Sequence, residues 1–299
     1  MENKRILVTG SAGYVGSTLA RLLIQNNFDV TLIDNYFVPS NIKQVEGIPI
    51  VKKDIRDYNV NPAQYDVIFH LAAISGIHTC EESEVMAHSI NVGGTLHLLR
   101  DFKGKFIFAS SSAVYGICQE PLITEGHPVH PRSVYGATKL YAEQVVKLHG
   151  NHVILRFSNI YGRGIFNKRT VTDAFIDKAI AKKPLEIHGD GLQRRDFVHI
   201  NDVLIAYWNA MRTTTTGTFN IGGNEALSIN DIAELVVKNY RKAFGITLEV
   251  KHILQDSGVA WKDFVYSSER AKKFICYEPN YSVNDEVRER FNAEKRKRT

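Results

Sequence analysis

The run Leu7-Val8-Thr9-Gly10-Ser11-Ala12-Gly13-Tyr14-Val15-Gly16 decides the reading of this 299-residue chain. Before it, Ile6-Leu7-Val8 reads as a short buried strand. After it, Ser17-Thr18-Leu19-Ala20-Arg21-Leu22-Leu23-Ile24 reads as a helix. Strand, glycine loop and helix in that order make a turn suited to phosphate. Gly10 permits the tight turn, Gly13 lets backbone N–H groups close on a pyrophosphate, and Gly16 lets the helix pack on the strand. The helix start at Tyr14 and Val15 adds unpaired N–H donors and a partial positive charge.

A glycine pattern alone also describes an ordinary strand–helix turn, and the next strand discriminates. Asp29-Val30-Thr31-Leu32-Ile33-Asp34 is apolar and ends in a carboxylate 18 residues beyond Gly16. An acid at that distance accepts hydrogen bonds from the 2′-OH of an adenosine ribose and repels a 2′-phosphate. Asn35 and Tyr36 follow, with no arginine to receive such a phosphate. The two segments predict NAD as cofactor, in preference to NADP.

Composition bounds the rest. At 44% apolar content the chain can bury a large core, in one compound domain or two. It has no apolar run long enough for a membrane span, and the N-terminus enters a strand at once, so neither membrane nor secretory signal is expected. Cys80, Cys118 and Cys276 are widely spaced and lack metal-ligand spacing, which predicts reduced thiols in a cytoplasmic protein and no metal. The net charge of +5 owes much to Lys295-Arg296-Lys297-Arg298, read as a solvated end and not as a nucleic-acid arm.

Further strands are expected at Ile48–Val51, Val67–Leu71, Lys105–Ala109 and Val153–Phe157, with helices over Val85–Phe102 and Ala137–Leu148 between them. The alternation predicts an α/β fold, a doubly wound parallel sheet of Rossmann type covered on both faces. Residues 1–163 form this cofactor domain, and 164–299 a smaller α/β substrate domain closing over the strands' carboxyl ends. Residues 196–221 are expected to return to the first domain.

Tyr135-Gly136-Ala137-Thr138-Lys139 places a tyrosine and a lysine on one helical face, where the ammonium can lower the phenol's pKa and make it a general base. Among 13 tyrosines such a pair arises by chance, so position decides. It follows the fifth strand, whose end carries Ser110-Ser111-Ser112.

These motifs together are similar to the extended short-chain dehydrogenases/reductases, and within them to the nucleotide-sugar epimerases. Thr9-Gly10-x-x-Gly13-x-x-Gly16, Asp54-Ile55-Arg56-Asp57, His70-Leu71-Ala72-Ala73 and Asn91-Val92-x-Gly94-Thr95 carry the first part. Ser110-Ser111-Ser112-x-Val114-Tyr115-Gly116, Tyr135-x-x-x-Lys139 and Arg156-x-x-Asn159-x-Tyr161-Gly162 carry the middle, and Gly189-Asp190-Gly191-x-Gln193-x-Arg195-Asp196-Phe197-x-His199 with Asn220-Ile221-Gly222 the last.

The resemblance implies Ser111 as the catalytic serine, Tyr135 as the base, and Lys139 as the residue that holds the nicotinamide ribose and tunes Tyr135. It places Asp54 and Ile55 at the adenine, with Leu71, Ala72 and Ala73 lining the cofactor cleft beside Asp34 and Asn35. Ser111 and Ser112 would face the sugar, while Asn159 and Arg195 would bind its diphosphate, for which an arginine fork is well shaped. Arg195 could instead pair with Asp196. Asn91 belongs behind the cofactor site or caps a helix. His70, His78 and His199 read as packing residues, and Tyr115 and Tyr161 as shaping the pocket.

Related dehydratases carry Asp and Glu directly after the catalytic residue, whereas this chain has Ser112 and Ala113, which disfavours water loss. The expected activity is NAD-dependent 4-epimerisation of a nucleotide sugar such as UDP-glucose, through a 4-keto intermediate with retained cofactor. The alternatives are a keto-sugar reductase or dehydrogenase, a dehydratase and, in a different class, a non-catalytic NAD-sensing protein. Leu140, Tyr141, Val145 and Leu148 on one helix, with Leu96, Leu98 and Leu99 on the earlier one, suggest a homodimer. The epimerases' second diphosphate arginine is missing: Ser257-Gly258-Val259-Ala260 stands in its place, and Lys262, the nearest cation, is expected to bind the substrate diphosphate as an imperfect substitute, the alternative being a substrate with different phosphate needs.

Overall fold

Ile6, Leu7 and Val8 are all fully buried, but they face opposite ways. Ile6 and Val8 enter one hydrophobic core and Leu7 a second, and the same alternation separates Phe69 from Ile68 and Ile107 from Phe106 and Phe108. With side chains alternating across a strand, two cores mean a sheet covered on both faces. The computed structural model describes residues 4–57, 59–118, 120–165, 170–223, 225–254 and 265–298.

Among these residues the sheet has eight strands, in the order Gly217–Ile221, His152–Phe157, Lys105–Ser111, Val67–His70, Arg5–Thr9, Asp29–Asp34, Ile48–Lys52 and Gln44–Val45. All neighbours run parallel except the last pair. From Arg5–Thr9 the chain winds outward first on one side and then, from Val67–His70, on the other. The reversal opens a crevice beyond the carboxyl ends of these two strands, where the glycine loop and Leu71-Ala72 meet.

The helix Val134–Lys147 starts three residues before the sequence reading because the Ser133 hydroxyl caps it, accepting from Gly136 N at 3.1 Å. Tyr135 therefore sits in its first turn. The segment expected as one helix over Val85–Phe102 is helical without a break from Glu84 to Leu99, with a π turn over Ser89–Gly93 inside it, and it ends short of Phe102, with Asp101 at φ +59°. Leu98 faces the core, so it adds nothing to an outer face.

A smaller unit sits beyond the strand ends. Its three-stranded sheet orders Ala226–Ser228, Arg194–His199 and Asn159–Tyr161. Helices Val171–Ile180, Ile229–Phe244 and Val283–Arg298 contribute to a separate core that includes Phe175, Tyr240 and Phe291. The chain returns to the large unit twice. Helix Ile200–Arg212 and strand Gly217–Ile221 form the first return, and helix Glu269–Ile275 the second, with Ala271, Ile275 and Tyr277 in the large core. Among the described residues no helix is long and apolar enough to cross a membrane.

Candidate active site

The crevice is a cleft of about 1030 Å³. Its floor at one end is the glycine turn, and the geometry leaves no room for larger residues. Gly10 has φ +70°, and a Cβ there would come within 2.8 Å of Ala72 N. A Cβ on Gly16 would lie 2.1 Å from the Gly10 carbonyl. The Asp34 carboxylate braces this turn, accepting from Ala12 N at 3.0 Å and from Tyr36 N at 2.7 Å. A glycine cradle at a helix start with a carboxylate at the next strand's end fits an adenine dinucleotide.

Seventeen residues expected at the site line this one cleft. They are Gly10, Gly13, Tyr14, Val15, Gly16, Asp34, Asn35, Ile55, Leu71, Ala72, Ala73, Ser111, Ser112, Tyr135, Lys139, Asn159 and Arg195. Two others do not. Asp54 turns aside because the Arg56 guanidinium grips both its oxygens, each at 2.8 Å, while Asn35 donates to it at 3.0 Å. These bonds hold its carboxyl far below the usual range, so Ile55 alone of that pair faces the cleft.

Asn91 is neither in the cleft nor a helix cap. Buried in the π turn, it accepts from Ile74 N at 2.8 Å and donates to Ile74 O and to Thr138 Oγ1, pinning the cleft's wall from behind. Lys262, like Ser257-Gly258-Val259-Ala260, lies outside the described residues.

At the other end of the cleft Ser111, Tyr135 and Lys139 converge. Lys139 donates to the Ala109 carbonyl at 2.9 Å, and its Nζ lies 5.9 Å from the Tyr135 ring centre. Burial lowers the Lys139 pKa to about 8, with Cys80 and Glu143 opposing. Burial also pushes the Tyr135 phenol up to about 12, against a lowering hydrogen bond with Ser111. Burial thus opposes the lowering expected from Lys139. The Lys139 ammonium is directed at the Ala109 carbonyl.

Arg195 lines the substrate side, its guanidinium donating to Arg194 O at 2.7 Å and to Gln193 Oε1 at 3.3 Å. Asp196 next to it is fully buried and its carboxylate accepts from Gly223 N and Tyr266 N. Asn159 donates to the Asp196 carbonyl, which ties the two clamp positions together. Tyr115 and Tyr161, expected to shape the pocket, lie in cores beneath it.

The cleft also contains residues the sequence reading passed over. Phe37 and Val38 are 44% and 55% exposed at its rim, and a pair of exposed apolar side chains just after Asp34 was a readable signal for a flat ligand. Tyr266 and Tyr207 line the cleft without any motif to announce them.

A protein of Methanocaldococcus jannaschii provisionally named UDP-glucose 4-epimerase is 35% identical over 247 residues, covering 77% of this chain and 81% of its own. A UDP-N-acetyl-alpha-D-glucosaminuronate decarboxylase of Bacillus cytotoxicus is 34% identical over 254 residues, covering 77% and 78%. Among solved structures, the UDP-glucuronic acid 4-epimerase of Bacillus cereus with UDP-glucuronic acid and NAD superposes with a TM-score of 0.80. It is 28% identical and covers 98% of this chain and 99% of its own. The model of the NAD dependent epimerase/dehydratase family matches residues 6–222. With the glycine cradle, the doubly wound sheet and this match in agreement, the chain belongs to the NAD-dependent epimerase/dehydratase family.

Proposed function

We propose that this protein is a nucleotide-sugar 4-epimerase that retains its NAD, with a UDP-hexose of the glucose/galactose type or an N-acetylated form as substrate. The reading is carried by the convergence of Ser111, Tyr135 and Lys139 at the end of the cleft opposite the glycine cradle. NAD, when bound, supplies the hydride acceptor that later returns the same hydride, and adds positive charge near the phenol. Tyr135 as phenolate takes the proton of the sugar O4 while the C4 hydrogen leaves as hydride. Ser111 hydrogen-bonds the oxygen as it becomes a carbonyl. The 4-keto sugar turns in the pocket, regains hydride on its other face, and recovers its proton from Tyr135. Lys139 keeps a positive charge beside this exchange.

Gly10, Gly13, Gly16 and Asp34 would hold the cofactor's pyrophosphate and ribose, with the exposed faces of Phe37 and Val38 beside its base. Asn159 and Arg195 would hold the substrate diphosphate. Ser112 and Ala113 offer no acid–base pair, which supports epimerisation over dehydration. A sugar acid as substrate is the second reading, favoured by the similar decarboxylase and by Arg132 in the cleft lining. Incubation with UDP-glucose, UDP-galactose, their N-acetylated forms and UDP-glucuronate, without added cofactor, separates the two. An epimer of one neutral sugar is expected, and steady formation of NADH or carbon dioxide would contradict the reading.

A second copy of the chain is the proposed partner. Val85, Leu96, Tyr141 and Leu148 are exposed on the segment Glu84–Leu99 and on the end of helix Val134–Lys147, which pack against each other. Two apolar helix faces side by side suit a two-fold dimer.

A further inference from the structure

Behind the cleft, a row of buried polar side chains runs from the helix of Tyr135 and Lys139 to the edge of the sheet. Glu143 lies one turn beyond Lys139 and is fully buried. Arg156 grips both its oxygens, Nε to Oε1 at 2.9 Å and a terminal nitrogen to Oε2 at 2.6 Å. The Ser110 hydroxyl donates to the same Oε1 at 2.5 Å. Arg156 continues to the Tyr115 hydroxyl at 2.8 Å, which donates to Asn220 Oδ1 at 2.7 Å.

Ser110 directly precedes Ser111, and Ala109 accepts from Lys139. The strand end that carries Ser111 is therefore fastened at two successive residues to two successive turns of the helix that carries Tyr135. A displacement of either element must break a buried ionic or ammonium hydrogen bond, each costly to leave unmade.

The charges are unevenly matched. Arg156 and, at 3.9 Å, the half-exposed Lys147 pair with the one carboxylate of Glu143, and Lys139, one turn back, lies in its field. The other titratable groups around Lys139 are the Cys80 thiol, raised by burial, the neutral His70, and Tyr135 on its own helix. Glu143 is the anion of this set.

Building on the roles of Tyr135 and Lys139 given above, we propose that Glu143 is a positioning residue for the reaction. Through Ser110 and Arg156 it sets the helix in register with Ser111, and its carboxylate keeps the Lys139 ammonium charged inside the protein. Burial lowers Lys139 to about 8 and the Glu143 carboxylate opposes that fall, so loss of this anion lowers it further.

Glu143→Gln keeps the shape and removes the charge. NAD affinity and kcat are measured for both proteins from about pH 6 to about pH 10, the span in which Lys139 titrates. In the variant the alkaline fall of both is expected to move to lower pH, with KM for the sugar nucleotide little changed. Profiles parallel to wild type, with only a lower melting temperature, make Glu143 a structural ion pair and overturn the proposal.

Should that variant fail to fold, Ser110→Ala removes one tie and no charge. A kcat lowered on the order of tenfold at unchanged KM and NAD affinity supports the register role, and an unchanged kcat overturns it. The NAD titration uses no sugar. If wild type converted no nucleotide sugar, the reaction assigned above would fall while Glu143 was still judged on its own.

Discussion

Thr9 Oγ1 and His70 Nδ1 stand 2.8 Å apart at the carboxyl ends of the two central strands, and their neighbours fix which atom holds the proton. Thr9 Oγ1 accepts from Leu71 N and Ala72 N, so its own hydrogen goes to His70 Nδ1. Thr95 gives its hydrogen to Asn91 O at 2.7 Å, so its oxygen accepts from His70 Nε2, 2.9 Å away. His70 is thereby a neutral imidazole, protonated at Nε2, with no acceptor for a second proton. Burial agrees, lowering its pKa from 6.5 to about 3.

A pH dependence of stability follows. Between about 6.5 and 3 the unfolded chain binds a proton at His70 that the folded chain refuses. The contribution is whole above pH 6.5 and is lost as pH falls, by about 1.4 kcal/mol per unit. Urea unfolding at a series of acidic pH values should show this slope, and His70→Gln should flatten it. An equal slope in the variant would remove His70 as its source.

Replacing Tyr135 by Phe keeps the ring and takes away the proton carrier. Turnover should fall by about 10²–10⁴-fold while nucleotide-sugar binding changes little. Retention of more than half the activity would contradict the role given to the phenol.

Arg195→Ala should weaken binding of UDP by roughly 2–5 kcal/mol, as when one partner of a buried charge pair is truncated. Calorimetry with UDP alone reads this directly, without turnover. Equal affinity in both proteins would move the diphosphate site elsewhere.

Tyr141→Glu sets a charge on the proposed dimer face without touching the cleft. Light scattering at micromolar concentration should give the mass of two chains for wild type and of one for the variant. A monomeric wild type would contradict the pairing.

The large sheet was readable because its strands obey one rule: both faces are buried, so Ile6-Leu7-Val8 and Phe106-Ile107-Phe108 are continuous apolar runs. The cofactor end was readable because glycines with no room for a Cβ must be glycines, as at Gly10 and Gly16. Other features depended on side-chain partners that a motif does not reveal. Asp54 matches its motif, yet the nearby Arg56 claims it, and Asn91 holds the loop at Ile74. The π turn at Ser89–Gly93 has no sequence period of its own. The high pKa of Tyr135 also reflects burial, which spacing to Lys139 does not disclose.

Retention of a single hydride is the central claim, and deuterium at C4 of the substrate tests it most directly. UDP-glucose labelled there is incubated with the protein and no added NAD, and the product is read by proton NMR. The account predicts UDP-galactose with the deuterium still at C4 and no accumulation of NADH. Deuterium washed out to solvent, or oxidised sugar formed in step with NADH, would contradict it.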